Sequence, residues 1–201
     1  MTLRVLALTC TLKPSPAKSS SDLIARQLLD LFAEQGVTGE VVRVVDHDVH
    51  PGVETDMGAG DAWPEIRRKL VAADILLVAT PTWVGHMSSV AQRVLERLDA
   101  ELSETDEEGR PAMVGKVAVA AVVGNEDGAH KIIADLFQAL DDIGFTVPAQ
   151  GGTYWNGEAM QGGDYQDLAE TPKAVASANA TLVRNAVHLA NLLGAKPYPA
   201  S

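Results

Sequence analysis

The sequence predicts an α/β domain with a doubly wound, five-stranded parallel sheet and helices on both of its faces. Two patterns support this. Short, nearly continuous apolar runs alternate along the chain with longer stretches whose apolar residues recur at helical spacing. The length of 201 residues suits one well-buried domain rather than two. We therefore predict a single domain over residues 1–201.

The first half of the chain contains three predicted strands and two predicted helices. The first strand is the apolar run L-R-V-L-A-L-T, and the third reads D-I-L-L-V-A. The first helix has an apolar face that includes Leu28 and Phe32, and Gly36 ends it. The second helix carries Trp63, Ile66 and Leu70 on one side. In chain order these elements are a strand at 3–9, a helix at 20–36, a strand at 40–45, a helix at 62–73 and a strand at 74–79.

The second half repeats the alternation. Val90, Val94 and Leu98 recur at helical spacing, and G-K-V-A-V-A-A-V-V is a further buried strand. Pro172 suits the first turn of the closing helix. In chain order we predict a helix at 88–102, a strand at 115–123, a helix at 130–142, a short strand at 145–148 that is interrupted before 152–155, and a helix at 172–193.

Charge and cysteine content exclude several classes of function. The net charge of −11 and the pI near 4.8 argue against nucleic acid as a partner, because a phosphate backbone is repelled. Cys10 is the single cysteine, so neither an intrachain disulfide nor a cysteine metal cluster is expected, and we predict no metal site. No apolar stretch approaches a membrane span, and no signal-peptide pattern is seen. We expect a cytoplasmic protein without a membrane partner.

The loops after the first, third and fourth strands are rich in glycine, proline, hydroxyl and aromatic residues. In a doubly wound sheet the carboxyl ends of these strands meet where the strand order reverses, and ligands bind there. These three loops together therefore predict a ligand site.

The first loop, residues 10–21, predicts a phosphate site. Hydroxyl groups and a helix N-terminus follow a buried strand, and Lys13 or Lys18 adds positive charge. The alternative is an ordinary N-cap in a polar turn. Neither nucleotide-binding glycine motif is present, and Pro16 stands where a phosphatase loop needs arginine, so Cys10 is not expected to be a nucleophile. The candidate phosphate ligands are Thr11, Ser19, Ser20 and Ser21.

The second and third loops suit a flat ring. In the second, proline and glycine shape the turn and Trp83 either stacks on the ring or packs on its own sheet. The role of His86 stays open. In the third, Asp127 is also a possible N-cap. A glycine-rich segment with Tyr154 and Trp155 either covers the ring or forms a subunit contact. The candidate ring contacts are Pro81, Thr82, Trp83, Val84 and Gly85, and Gly124, Asn125, Glu126, Asp127 and Gly128.

The Ser/Thr loop, the P-T-W-V-G-H loop and the G-N-E-D-G loop resemble those of the flavodoxin-like superfamily, in particular its NAD(P)H-dependent FMN reductase and quinone reductase branch. The resemblance implies noncovalent FMN, with its phosphate on Thr11 and residues 19–21 and its isoalloxazine between residues 81–85 and 124–128. The common G-S-x-R opening is replaced by C-T-L-K, so Lys13 stands in for the arginine.

The resemblance also implies an activity. Hydride passes from NADH or NADPH to the flavin and then to a quinone-like or other small acceptor, and the flavin carries the chemistry, so no catalytic side chain is named. It further implies a homo-oligomer. Three alternatives remain: a flavodoxin-type electron carrier whose acidic surface docks basic partners, a cofactor-free scaffold, and a receiver-like signalling domain. A receiver domain needs clustered acidic residues at the end of the first strand, and Thr9-Cys10-Thr11 stand there instead.

Overall fold

The computed structural model describes residues 2–105, 107, 109–158 and 162–199. Five parallel strands form a sheet in the order β2-β1-β3-β5-β6, and a two-residue β4 pairs antiparallel with β3. The strands are β1 Arg4–Thr9, β2 Thr38–Arg43, β3 Ile75–Trp83, β4 His86–Met87, β5 Val117–Gly124 and β6 Gly152–Asn156. The helices are α1 Ser20–Glu34, α2 Trp63–Val71, α3 Ser89–Leu98, α4 Ala129–Ile143 and α5 Lys173–Ala195.

Helices cover both faces of the sheet because its central strands are apolar on both faces. In β5, Ala118, Ala120 and Val122 pack towards α2, α3 and α4, whereas Val119 and Ala121 pack towards α1 and α5. Alternate side chains of a strand point to opposite faces, so an unbroken apolar run packs against the helices on both faces of the sheet. The doubly wound parallel prediction is confirmed, and the strand order reverses between β1 and β3.

The sheet differs from the prediction in having a sixth strand and a longer β3. Residues 80–83, predicted as loop, extend β3: Pro81 still pairs with Val123, and Thr82 and Trp83 form a hairpin with β4. Proline is tolerated here because β1 already ends at Thr9, opposite Ala79.

Two other predicted elements are wrong in their extent. Residues 145–148 do not form a strand, because only Thr146 bridges to β5 and a turn closed by the bond from Gly151 N to Pro148 O follows. The helix predicted over 88–102 ends at Leu98 and continues as a 3₁₀ turn, Asp99–Ser103. The resumed strand at 152–155 is confirmed as β6.

A buried ion pair holds the loop between β2 and α2. Arg97 Nη1 lies 2.7 Å from Asp61 Oδ2, and both side chains are 0% exposed. Arg97 also donates to the carbonyl oxygens of His50 and Glu54, and its guanidinium lies 5.6 Å from the centre of the Trp63 ring. The sequence predicts this segment only as a loop. Its shape is set by one arginine on α3.

No helix in the described ranges is both long and apolar enough to cross a membrane.

Candidate functional site

A cleft opens at the carboxyl edge of the sheet, between β1, β3 and β5. All three predicted loops contribute to it. The predicted residues that line it are Thr11, Lys13, Ser19, Ser20, Ser21, Pro81, Thr82, Trp83, Gly124 and Asn125. The lining residues that were not predicted as ligands are Leu12, Val123, Trp155, Asp164, Tyr165 and Gln166.

The first loop is held in place by the end of β2. Arg43 Nη1 donates to Ala17 O at 2.8 Å, and its other terminal nitrogen lies 3.3 Å from Asp22 Oδ2. Ser15 donates through its backbone N and its Oγ to Asp46, and the Ser15 hydroxyl lowers the pKa of that carboxyl group. The loop that approaches the cleft is therefore shaped by a neighbouring strand. Lys18 lies outside the lining.

Helix α1 begins at the cleft. Ser19 is its N-cap, and its Oγ accepts a hydrogen bond from Asp22 N at 3.3 Å. The N-cap alternative is therefore right for Ser19. Ser20 and Ser21 occupy the first turn, where backbone N–H groups lack partners within the helix. The same turn caps the helix and offers donors to an anion.

The second and third loops lock each other in place. Val84 N donates to Glu126 Oε1 at 2.8 Å. A Cβ on Gly128, which has φ +121°, would lie 2.9 Å from Gly85 Cα. Residues 84, 85 and 126–128 thus lie beside the cleft and hold its two loops together, and they do not line it. The N-cap of α4 is Gly128, so the N-cap interpretation of Asp127 is wrong.

Three aromatic residues have separate positions at the cleft. Trp83 lines the cleft and is 51% exposed. Trp155 lines the cleft, with its ring 5.6 Å from that of Tyr165. Tyr154 lies outside the lining, with its ring edge-on to His130 at 4.8 Å. His86 is exposed, with Nδ1 3.2 Å from Lys131 Nζ, and it also lies outside the lining.

A wall formed by Asp164, Tyr165 and Gln166 was missed by the sequence analysis. These residues form a 3₁₀ turn, Tyr165–Asp167, with a capping box between Asp164 and Asp167. The D-Y-Q-D pattern carries that signal, but a local pattern does not say where the turn packs. Tyr165 OH donates to Gln27 Oε1 at 2.7 Å, and burial raises the pKa of Tyr165.

Two buried polar atoms of lining residues have no hydrogen-bond partner within the described part of the chain: Thr82 Oγ1 and Gln166 Oε1. Thr82 is only 4% exposed. Because buried polar groups in native proteins are nearly always hydrogen-bonded, such atoms need an explanation. A ligand bound in the cleft would supply the missing partners. Glycine at position 124 makes room for the Thr82 side chain, since a Cβ there would lie 2.8 Å from Thr82 Cβ.

A second, larger cavity of about 910 Å³ lies at the opposite, amino-terminal edge of the sheet, near Arg4, Glu40 and Lys69. Several of its charged groups have partners within the protein: Lys69 pairs with Glu40, and Asp74 accepts a hydrogen bond from Arg4 N. Ligands of wound parallel sheets bind at carboxyl ends. We therefore assign the site to the carboxyl-edge cleft.

Comparison with known proteins decides the family. The model of a family described as NADPH-dependent FMN reductase matches residues 3–161. The chain belongs to this family. The findings support an FMN-binding enzyme that is either an oxidoreductase with a nicotinamide co-substrate or an enzyme that modifies flavin.

Two curated relatives match most of the chain. One is 8-demethyl-8-aminoriboflavin-5'-phosphate synthase of Streptomyces davaonensis, which is 32% identical over 98% of this chain and 81% of its own length. The other is named divalent metal cation transporter MntH, from Mycobacterium bovis, and is 36% identical over 96% of this chain. The chain spans only 29% of that transporter's length, so metal transport is not carried over.

Solved structures agree with the family. RosB with bound 8-demethyl-8-formylriboflavin-5'-phosphate superposes with a TM-score of 0.88 at 31% identity, covering 98% of this chain and 82% of that one. The NADH:FMN oxidoreductase EmoB gives a TM-score of 0.65 at 20% identity, covering 98% of this chain and 92% of that one. The second likeness shows the fold alone.

Proposed function

We propose that the chain passes reducing equivalents from NADH or NADPH, by way of FMN held in the carboxyl-edge cleft, to a small quinone-like acceptor. The observation that carries this proposal is the meeting of the three loops around two buried polar atoms, Thr82 Oγ1 and Gln166 Oε1, that have no hydrogen-bond partner among the described residues. The overall change is NAD(P)H plus a proton plus quinone giving NAD(P)⁺ plus hydroquinone.

The residues present fit FMN at each part of that molecule. In this proposal Thr11 and residues 19–21, with the N-terminus of α1, hold the phosphate, and Lys13 adds positive charge. Pro81, Thr82 and Trp83, together with the neighbouring Gly124 and Asn125, contact the ring. Val84, Gly85, Glu126, Asp127 and Gly128 hold these two loops together.

FMN, when bound, supplies the redox chemistry by accepting hydride from nicotinamide and passing two electrons on. The side chains bind, orient and shield. The buried hydroxyl of Thr82 is available to donate a hydrogen bond to a ligand in the cleft. The exposed ring of Trp83 offers a flat surface on which a planar acceptor stacks. No side chain is assigned as a general acid or base.

The proposal is tested on purified protein saturated with FMN under anaerobic conditions. We expect NADH or NADPH to bleach the flavin absorbance, and a benzoquinone to restore it with formation of hydroquinone. A bound flavin that neither nicotinamide bleaches would contradict the proposal and favour the electron-carrier alternative. Light scattering of the same sample tests the predicted homo-oligomer.

A second candidate function is modification of FMN itself. It is favoured by the 32% identity to a protein named as an 8-demethyl-8-aminoriboflavin-5'-phosphate synthase. In that case the flavin leaves the cleft changed. Mass spectrometry of flavin extracted after many turnovers separates the two candidates: an unchanged FMN mass supports the cofactor role, and a new flavin mass supports modification.

Replacing Thr82 by valine tests the unpartnered hydroxyl. The variant keeps the side-chain shape and removes a buried, unpaired group, so we expect stability to be equal or up to about 1 kcal/mol higher. FMN affinity should fall roughly fivefold, the effect of one neutral hydrogen bond. Thermal unfolding and fluorescence titration measure the two effects.

Thr80→Val is the matched control. Thr80 Oγ1 already accepts a hydrogen bond from Ser88 N at 3.1 Å, and Thr80 is outside the cleft lining. We expect the opposite pattern, with lower stability and nearly normal FMN affinity. Unchanged FMN binding in Thr82→Val would mean that the hydroxyl has no ligand partner.

A further inference from the structure

We propose that Gln166 accepts a hydrogen bond from a hydroxyl of the sugar-alcohol chain of FMN, and so makes the cleft selective for a hydroxylated chain. The inference rests on the proposed position of FMN. Gln166 lies beyond residue 161, where the family match ends. It lines the cleft from a wall that none of the three loops supplies.

The orientation of the Gln166 amide follows from its neighbour. Nε2 donates to Asp164 Oδ2 at 3.3 Å. A carboxylate only accepts hydrogen bonds, so turning the amide around would bring two acceptors together. Oε1 therefore faces away from Asp164, and it is buried without a donor in the described part of the chain.

The position of Gln166 indicates which part of the ligand meets this oxygen. Gln166 N donates to Ser20 Oγ at 3.3 Å, so Gln166 lies directly beside the predicted phosphate loop. At neutral pH the phosphate group of FMN is mostly dianionic, so its oxygens accept hydrogen bonds and suit the donors of that loop. In FMN the group next to the phosphate is the hydroxylated chain, whose hydroxyls are donors.

The cleft is thus divided by hydrogen-bonding character. Hydroxyls and first-turn helix amides on one side can donate to an anion, whereas the side-chain oxygens of Asp164 and Gln166 on the other side only accept hydrogen bonds. The acceptor wall is rigid because Tyr165 is 2% exposed and its hydroxyl is bonded to Gln27. A pre-positioned acceptor loses little freedom when the ligand binds.

The test compares two ligands on two proteins. Apoprotein is titrated with FMN and with a synthetic flavin whose phosphorylated five-carbon chain carries no hydroxyls, and flavin fluorescence reports binding. We expect the wild type to prefer FMN. In Gln166→Met, which removes the acceptor and keeps the side-chain length, that preference should shrink by roughly fivefold. Gln166→Leu provides the same comparison should the methionine variant fail to fold.

Gln27→Met is the matched control, because it makes the same chemical change outside the cleft lining. It frees Tyr165 OH and Thr171 but leaves the Gln166 acceptor itself intact, so affinity for both flavins should fall and the preference for FMN should shrink by less than in Gln166→Met. If the preference for FMN is unchanged in both Gln166 variants, the inference about Gln166 is wrong and the proposed function still stands. A wild type that binds neither flavin overturns the proposed function as well.

Discussion

Replacing Ser20 by aspartate is expected to weaken FMN binding by roughly 30- to 1,000-fold. Ser20 lines the cleft in the first turn of α1, where we place the phosphate. Two like charges about 4 Å apart near a protein surface repel by about 4 kcal/mol. A repulsion of about 2–4 kcal/mol corresponds to the expected loss of affinity, because about 1.4 kcal/mol is a factor of ten. Riboflavin lacks the phosphate, so its affinity should change little.

The fold should tolerate this substitution. A carboxylate in the first turn of a helix is favoured by the helix dipole by about 0.3–1 kcal/mol, and it still accepts the hydrogen bond that Ser20 Oγ receives from Gln166 N. We therefore expect the melting temperature to be unchanged or higher. Loss of FMN binding then reports on the phosphate and not on unfolding.

Ser89→Asp is the matched control. Ser89 follows the N-cap Ser88 at the start of α3 just as Ser20 follows Ser19, and it is outside the cleft lining. We expect normal FMN affinity, measured by fluorescence titration at fixed salt. Equal FMN binding by Ser20→Asp and the wild type would place the phosphate elsewhere.

Replacing Arg97 by methionine is expected to lower the free energy of unfolding by about 3–5 kcal/mol, since removal of one partner leaves a buried charge uncompensated. Asp61 is fully buried, and the carbonyl oxygens of His50 and Glu54 lose their donor as well. Denaturant unfolding followed by circular dichroism measures the loss.

Two further variants separate the ion pair from general effects on α3. Arg93 is one turn earlier, exposed, and donates to Val49 O, so Arg93→Met should cost less than about 1 kcal/mol, as is typical of surface positions. Adding Asp61→Asn to Arg97→Met removes the stranded charge, and the double variant should be more stable than the sum of the single effects implies. Full additivity would contradict a direct coupling.

The same ion pair makes stability depend on pH. Burial alone raises the pKa of Asp61, but hydrogen bonds from Met57 N, Trp63 N, Arg97 and His50 N outweigh it and hold the pKa well below its usual range. A group with a lowered pKa stabilises the fold above its ordinary value, near 3.9. We expect this contribution to be lost as pH falls below about 4, and the loss to be smaller in Asp61→Asn.

The sequence predicted the elements whose signal is local. The strands 3–9 and 115–123 are apolar runs that are buried on both faces, and the three loops are recognisable because hydroxyls, glycines and aromatics follow those strands directly. Parallel strands place such loops at one edge, so the location of the cleft followed from strand order. The N-cap at Ser19 could also be considered from the sequence, because helix capping depends on residues that are close together in the chain.

The tertiary structure alone decided which side chains meet across the fold. Arg43 shapes a loop that lies about 30 residues earlier in the chain. Arg97, on α3, holds the loop between β2 and α2 through its ion pair with Asp61. Gln166 reaches Ser20, in the predicted phosphate loop, from a segment 146 residues away. Each of these contacts arises from packing between distant elements, and no periodicity or motif encodes such a distance. The sequence by itself determined the wound sheet and the edge at which the three loops meet. Long-range packing determined the wall formed by Asp164, Tyr165 and Gln166, and the two oxygen atoms of the cleft that have no partner among the described residues.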